Sequence, residues 1–282
     1  MPSLYKPRVR IPSGSRVTRL SRLLRQQQLH TVCEEAHCPN KHECWSQGTA
    51  TFLILGDSCT RGCRFCNITQ RDPLPPDPDE ARRVANAVAT LDLQHVVITS
   101  VTRDDLPDGG ASAFAAVLAA VQATTPAVTT EVLIPDLQGN REALDQLLQA
   151  APTVVNHNVE TVPSLYRLVR PQAVYTRSLQ LLSRAARRGF YTKSGMMLGL
   201  GETEAEVYAL LDDLRQVDCR FVTIGQYLQP GHMNLPVNRY VTASEFERYA
   251  GYARKIGFHQ VQASPLVRSS YHAGDFMATT AR

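Results

Sequence analysis

From residue 50 to residue 265, short apolar runs alternate with amphipathic or alanine-rich stretches, and few folds accommodate that rhythm. ATFLILG (50–56), HVVITSV (95–101), VTTEVLIPD (128–136), TVVNHNVE (153–160), FYTKSGMMLGL (190–200) and RFVTIGQYL (220–228) read as strands, and HQVQASP (259–265) as a last strand-like piece. Helical patterns lie between them at 80–93, 110–124, 141–151, 163–169, 176–188, 204–217 and 243–257, with Asp79 a candidate cap for the first. Strands that are apolar throughout, each followed by a helix, imply a parallel sheet covered by helices. About six such units occur, against eight in a closed TIM barrel. The sequence therefore predicts an α/β fold, a partial (β/α)6 TIM-like barrel, with a doubly wound open sheet as the alternative. In both, the active face lies at the carboxyl ends of the strands.

The remaining segments set the domain organisation. Residues 1–14 are rich in Pro and Arg and read as extended, 15–29 as a short amphipathic helix, and 31–48 as loop and short helix. The expected division is an N-terminal extension (1–49), the barrel (50–258) and a C-terminal tail (259–282). No run of eighteen apolar residues occurs, so no spanning helix and no membrane partner are expected, and no apolar signal segment is evident. The expected location is the cytoplasm. The net charge is only +4, but no Asp or Glu precedes Glu34, while Lys6, Arg8, Arg10, Arg16, Arg19, Arg22 and Arg25 all do. A solvated basic arm is the simplest account. A transit peptide and a site for an acidic protein partner compete with it. Nucleic acid is disfavoured, because no aromatic residues interleave the cations to stack bases.

Six of the seven cysteines lie between Cys33 and Cys66, and Cys219 stands alone. A disulfide scaffold is normally small and evenly stapled, so reduced, metal-binding thiols are the better reading. Cys59, Cys63 and Cys66 follow the first strand in GDSCTRGCRFCNI with the spacing C-x3-C-x2-C. A structural zinc site prefers paired C-x2-C ligands, and ferredoxin cubes use four cysteines, so three thiols leave one position open. A four-iron, four-sulfur (4Fe-4S) cluster with one open iron wants this set. On that motif the chain resembles the radical S-adenosylmethionine (SAM) superfamily. The resemblance implies that SAM binds the open iron and is cleaved by an electron from the cluster. Under it, Lys193 would pair a carboxylate, Asn158 and Glu160 would bond ribose hydroxyls, and Gly199 and Gly201 would let the backbone approach adenine. Each also has an ordinary reading, as a strand end or a turn glycine.

Cys33, Cys38 and Cys44 form a second triad, C-x4-C-x5-C, again irregular for a zinc ribbon. Together with TSVTRDDLPDGGA (99–111), NHNVET (156–161), VRP (169–171), TKSGMMLGLGET (192–203), GQYLQP (225–230) and VRSSYHA (267–273), the two triads resemble the lipoyl synthase family over most of the chain. Thr102, where many members carry an acid, and QASP (262–265), where Cys-Gly-Pro is common, depart from its pattern. Cys219 precedes a strand and so falls on the wrong face to complete the second triad. The resemblance instead makes Ser269, in the RSSY tail, the fourth iron ligand. It implies a second 4Fe-4S cluster that gives up its sulfide and an octanoylated lipoyl carrier domain as substrate. Two sulfur atoms are then inserted, at C6 and C8, and an external electron donor is required. Ser269 would make one corner of that cluster labile. Two alternatives remain open at this point: another radical SAM enzyme with one auxiliary cluster, and a non-catalytic carrier with two.

Overall fold

A computed structural model of the chain describes residues 15–36 and 38–278, and the extended, basic segment expected at 1–14 lies outside them. Among the described residues there are ten strands: β1 (His30–Thr31), β2 (Ala50–Ile54), β3 (Ser58–Cys59), β4 (Thr69–Gln70), β5 (His95–Ser100), β6 (Thr129–Leu133), β7 (Val154–Asn156), β8 (Tyr191–Leu198), β9 (Phe221–Gln226) and β10 (Gln260–Ala263). Eight of them form one sheet in the order β1-β2-β5-β6-β7-β8-β9-β10, and β3 and β4 pair separately. The pairings β2–β5, β5–β6, β8–β9 and β9–β10 are parallel, while β1 adds to β2 antiparallel.

That order decides between the two expected architectures. A doubly wound sheet reverses its strand order at a switch point. Here the parallel strands follow one another in chain order without reversal, as in a barrel. Each of β2, β5, β6, β7, β8 and β9 is followed by at least one helix before the next parallel strand, which gives six β/α units. The fold is a partial (β/α)6 TIM-like barrel.

The described residues cluster into two compact units, one holding 62–67 and 156–269, the other 15–61, 68–155 and 270–278. In the first, Val159, Leu182, Leu198, Leu210, Val222, Ile224 and Tyr249 are wholly buried in a single cluster that also takes in Cys219. Two of its helices begin with capping boxes, Thr203 with Glu206 and Thr242 with Glu245. These satisfy amide donors that helix starts leave orphaned. In the second unit every residue of β2 is buried. The helices Glu80–Thr90, Ala111–Thr124 and Arg141–Gln149 bury Val84, Val88, Phe114, Val121, Leu144 and Leu147. Such all-round burial is what continuous apolar strands require.

Several local expectations change. Asp79 stands at the start of its helix, but its backbone is right-handed helical (φ −91°, ψ −6°) and its side chain caps nothing. A capping residue needs extended backbone to turn its oxygen onto the first amides; Asp79 turns to Arg82 instead, at 3.1 Å. The N-terminal helix ends at Gln26 rather than 29, before Gln28 takes a left-handed φ of 51°. The strand expected over 153–160 stops at Asn156, and Glu160 rejoins the sheet only through an isolated bridge to Met196.

Candidate functional site

The C-x3-C-x2-C loop begins where β2 ends. Leu55 (φ 67°) and Gly56 (φ 88°) turn the chain out of the strand, and Glu80 accepts the Leu55 N–H at 2.9 Å. Cys59 then ends β3, half-buried, with the Arg61 N–H donating to its sulfur at 3.4 Å. The Thr60 N–H and hydroxyl both donate to the Thr102 carbonyl, and the Asp104 N–H donates to the Thr60 hydroxyl. The Thr102 departure from the family pattern thus falls where the backbone carbonyl makes the contact. Arg61 is the central clamp. Its guanidinium donates twice to Asp104, at 2.6 and 2.9 Å, and once to the fully buried Asp136 at 2.6 Å. Burial opposes the charge, but the two carboxylates outweigh it and raise the Arg61 pKa above its ordinary value. Asp104 and Asp136 follow the carboxyl ends of β5 and β6, where a (β/α) barrel places its chemistry.

In the other unit, Cys63 and Cys66 are half-buried. The Arg64 N–H donates to the Val169 carbonyl, the Leu235 N–H to the Arg64 carbonyl, and Asn234 Nδ2 to the Cys66 carbonyl at 2.9 Å. Phe65 packs inward against a buried group of Val169, Leu200, Tyr227 and Leu235. The loop is therefore fixed by bonds to its backbone.

The expected cosubstrate residues are placed as follows. Asn158 Nδ2 donates to Glu160 at 3.0 Å, and the Asn158 Oδ1 is buried with no partner. Burial raises the Glu160 pKa against the pull of Arg170, Asn158 and Arg268. Arg170, from the VRP motif, donates to the Asn158 and Val159 carbonyls at 2.9 and 3.2 Å. A buried orphan acceptor costs free energy until a donor arrives, so Asn158 suits a ribose hydroxyl. Gly195, which sequence reasoning passed over, makes room for it: a Cβ there would stand 2.6 Å from Thr223 Oγ1 and 2.8 Å from Asn158 Oδ1. Lys193 is wholly buried in β8. Gly199 (φ 95°) is required by its surroundings, since a Cβ would meet Gln226 Nε2 at 2.3 Å and the Arg239 carbonyl at 2.4 Å. Gly201 has more space, its nearest neighbour being Asn238 at 3.8 Å. The N–H groups of Gly199, Leu200 and Gly201 all donate to Glu202, so that turn is held by its own carboxylate.

The second triad lies in the unit that includes residues 270–278. Cys33 sits in the short helix Val32–Glu35, capped by Thr31, and Cys44 in Lys41–Ser46. Burial and then the charge of Cys38 push the Cys33 thiol up to about 11. Burial, then Cys33 and Cys38, push Cys44 up to about 12. The three thiols therefore feel one another, and as thiolates they would need a cation between them. Wholly buried Trp45, next to Cys44, turns its indole N–H to the Cys33 sulfur, a donor aimed at the triad. Among the described residues no three His, Cys, Asp or Glu side chains gather to hold a single metal ion. A cube binds each thiolate through a different iron and does not ask for that gathering. Cys219 is wholly buried and pushed up to about 12 by burial, an inert core thiol.

Residues 271 and 272 return to this triad. Ser269 lies half-buried in a turn and is grouped with the other unit. Two residues on, the Tyr271 hydroxyl donates to Glu43 Oε1 at 2.9 Å, and His272 Nε2 stands 3.1 Å from the same oxygen. The His272 backbone N–H bonds the Cys44 thiol. Burial and then the Glu43 carboxylate push the Tyr271 hydroxyl up to about 12. Burial alone would lower the His272 pKa, but Glu43 and Asp275 outweigh it and raise it. Hydrogen bonds to a charged acceptor contribute about 1.5–3 kcal/mol each. Glu43→Ala is therefore expected to speed hydrogen exchange over 271–276 by at least about tenfold, 1.4 kcal/mol being one decade. Glu43→Gln, which keeps an acceptor oxygen, should retain most of the protection. Equal exchange in all three proteins would show that Glu43 does not hold the tail.

Residues 53–214 match the family model of the radical SAM superfamily. Curated relatives named lipoyl synthase include proteins of Chlorobaculum tepidum (54% identical, 95% of this chain and 93% of theirs), Oleidesulfovibrio alaskensis (55%, 96% and 93%) and Methylococcus capsulatus (55%, 99% and 88%). Solved structures similar in fold include Streptococcus suis SuiB bound to its precursor peptide SuiA (TM-score 0.59, 12% identical, 88% of this chain). The chain spans about half of SuiB, 52%. The hydrogenase maturase HydG of Carboxydothermus hydrogenoformans (0.59, 14%, 83% of this chain and 65% of HydG) is also similar. So is HemN of Escherichia coli, described as a radical SAM enzyme (0.53, 13%, 74% of this chain and 53% of HemN). With one cysteine triad after the first parallel strand, a second against the tail, and more than half of its residues shared with these relatives, the chain belongs to the lipoyl synthase family of radical SAM enzymes.

Proposed function

We propose that the chain inserts two sulfur atoms, at C6 and C8, into an octanoyl chain carried on a lysine of a lipoyl carrier domain. The observation that carries this reading is the second triad, Cys33, Cys38 and Cys44, whose Cys44 thiol takes the His272 backbone N–H of the returning tail. A radical SAM enzyme that only abstracts hydrogen has no need of it. Cys59, Cys63 and Cys66 would hold the first 4Fe-4S cluster and leave one iron for SAM. Cys33, Cys38, Cys44 and Ser269 would hold the second. Once bound, these groups supply hydrogen-atom abstraction and sulfide, chemistry that no side chain here can replace. The target carbons are unactivated, and pKa tuning moves an ionisable group by only about 3–5 units, far too little to deprotonate an alkane.

The protein's own part is binding and placement. Asn158 and Glu160 offer one orphan acceptor and one carboxyl to a ribose, with Arg170 holding the Asn158 and Val159 carbonyls. Arg61 holds the first cysteine loop onto β5 and β6. Ser269, a harder ligand than thiolate, marks the corner where the second cluster yields. An external one-electron donor completes the requirements, with no role for nucleic acid. Among the described residues no helix is long and apolar enough to cross a membrane, and the cytoplasm is the setting we infer. The test is anaerobic incubation of the iron- and sulfide-reconstituted protein with SAM, a reductant and an octanoyl-lysine peptide, read by mass spectrometry. The expected product carries two sulfurs at C6 and C8. Formation of 5′-deoxyadenosine with an unaltered or merely desaturated peptide would overturn the reading.

A further inference from the structure

Among the described residues the exposed large apolar side chains are Leu74, Leu168, Val174, Met233 and Tyr240, and all but Leu74 belong to the unit that holds Cys63 and Cys66. Two of them flank the cysteine loop. Leu168, 41% exposed, precedes Val169, whose carbonyl accepts the Arg64 N–H at 2.9 Å; Met233, 96% exposed, precedes Asn234, which donates to the Cys66 carbonyl. Arg64 itself is exposed while Phe65 turns inward, and Arg167 is exposed beside Leu168. The charge of the surrounding chain is one-signed. Asp and Glu make up 26 of the 282 residues, yet none occurs over 58–71, 161–201 or 219–244. These three stretches hold the cysteine loop and both of its flanks.

We propose that this surface, centred on Arg64, Arg167, Leu168 and Met233, docks an acidic protein that carries a single electron at low potential. The proposal rests on the reading that Cys59, Cys63 and Cys66 hold a cluster, and it names where and by what chemistry the donor engages. In the transfer the carrier is oxidised by one electron and the cluster reduced by one; no bond or proton moves. Redox encounters are brief and use small interfaces. Complementary charge raises their on-rate and fixes their orientation, while one or two apolar contacts hold the short-lived complex. A loop whose own chain and flanking stretches carry no acid, with two exposed apolar side chains beside the residues that bond it, meets both needs, and it brings the carrier to the part of the chain the electron must reach.

The test uses the reconstituted holoenzyme, a reduced plant-type ferredoxin of net negative charge as probe, and the double variant Arg167→Glu with Met233→Glu. Neither side chain bonds the cysteine loop. The ferredoxin concentration that half-saturates 5′-deoxyadenosine formation should rise about tenfold or more in the variant, the lower end of electrostatic steering, and the difference should shrink at high salt. With dithionite, which needs no docking, the two proteins should match. Calorimetric titration of ferredoxin into each protein, a measurement that needs no turnover, should show the same loss of affinity. Equal ferredoxin dependence would overturn the proposal, and so would a fall with dithionite as well. A shift in saturation by the octanoylated carrier domain instead would assign the surface to that partner and overturn it too. If the unsubstituted enzyme forms no 5′-deoxyadenosine with either reductant, the functional reading fails, and the calorimetric result still decides the docking surface.

Discussion

Arg61→Met is expected to destabilise the protein by about 3–5 kcal/mol, the usual result of removing one partner of a buried ion pair. Arg61 is 4% exposed, and its partners Asp136 and Asp104 are 0% and 26% exposed. Methionine fills much of the volume but leaves Asp136 as an uncompensated charge in the core and removes three charge-assisted bonds. Arg61→Lys should recover only part of the loss, because an ammonium cannot serve Asp104 with two nitrogens and reach Asp136 as well. The effect reaches beyond stability. Arg61 lies between Cys59 and Cys63, so its release frees the loop from Asp104 and Asp136, and the thiols must then be ordered at the expense of iron binding. Iron per chain after reconstitution should fall by about half, with the second triad still loaded. Urea denaturation and iron analysis on the same preparations check both parts. A midpoint shift worth under about 1 kcal/mol would show that the clamp is not what fixes the loop.

That clamp was not legible in the sequence, and the reason is physical. An arginine between two cysteines reads as a solvated loop residue, because nothing local shows that Asp104 and Asp136, ending two other units, converge on it. The signal that could have found it is the pair of acids placed just past consecutive strand ends, in TRDD and IPD. What sequence reasoning recovered well were features that repeat or sit close together: apolar runs long enough to be strands, helices between them, and thiols within one loop. Even the choice between barrel and open sheet depended on strand order, which no periodicity encodes. The strand His30–Thr31 was missed because two residues carry no pattern. Gly195 was missed because its need arises from Asn158 and Thr223, both distant in the chain. A role for Ser269 is expected only through family resemblance. The contact that anchors the tail, Tyr271 to Glu43, spans 228 residues of sequence and has no local signature.

The two cysteine triads should separate two halves of the reaction. Changing Cys59, Cys63 and Cys66 together to Ala is expected to abolish both 5′-deoxyadenosine and sulfur-bearing product. Changing Cys33, Cys38 and Cys44 together to Ala should leave 5′-deoxyadenosine formation with dithionite largely intact while sulfur insertion falls below detection. Enzymes span at least about a millionfold over the uncatalysed reaction, so no background route fills the gap. The asymmetry follows from placement. Cys59 stands after β2 beside Thr60 and Arg61, which bond residues just past β5 and β6, whereas Cys33 and Cys44 stand in short helices, the second of which bonds Tyr271 of the tail. Burial, with the neighbouring thiols second, holds Cys33 and Cys44 well above the ordinary thiol range, so both are uncharged without a cluster and Ala in their place leaves no charge unpaired. Ser269→Cys makes a finer cut. It should load as much iron as the unsubstituted chain, because thiolate is the softer and better iron ligand, yet lose sulfur insertion if a labile oxygen-bound corner is what lets sulfide go. Full turnover by Ser269→Cys would remove the lability from the account. Persistent sulfur insertion without Cys33, Cys38 and Cys44 would remove the second cluster as the sulfur source.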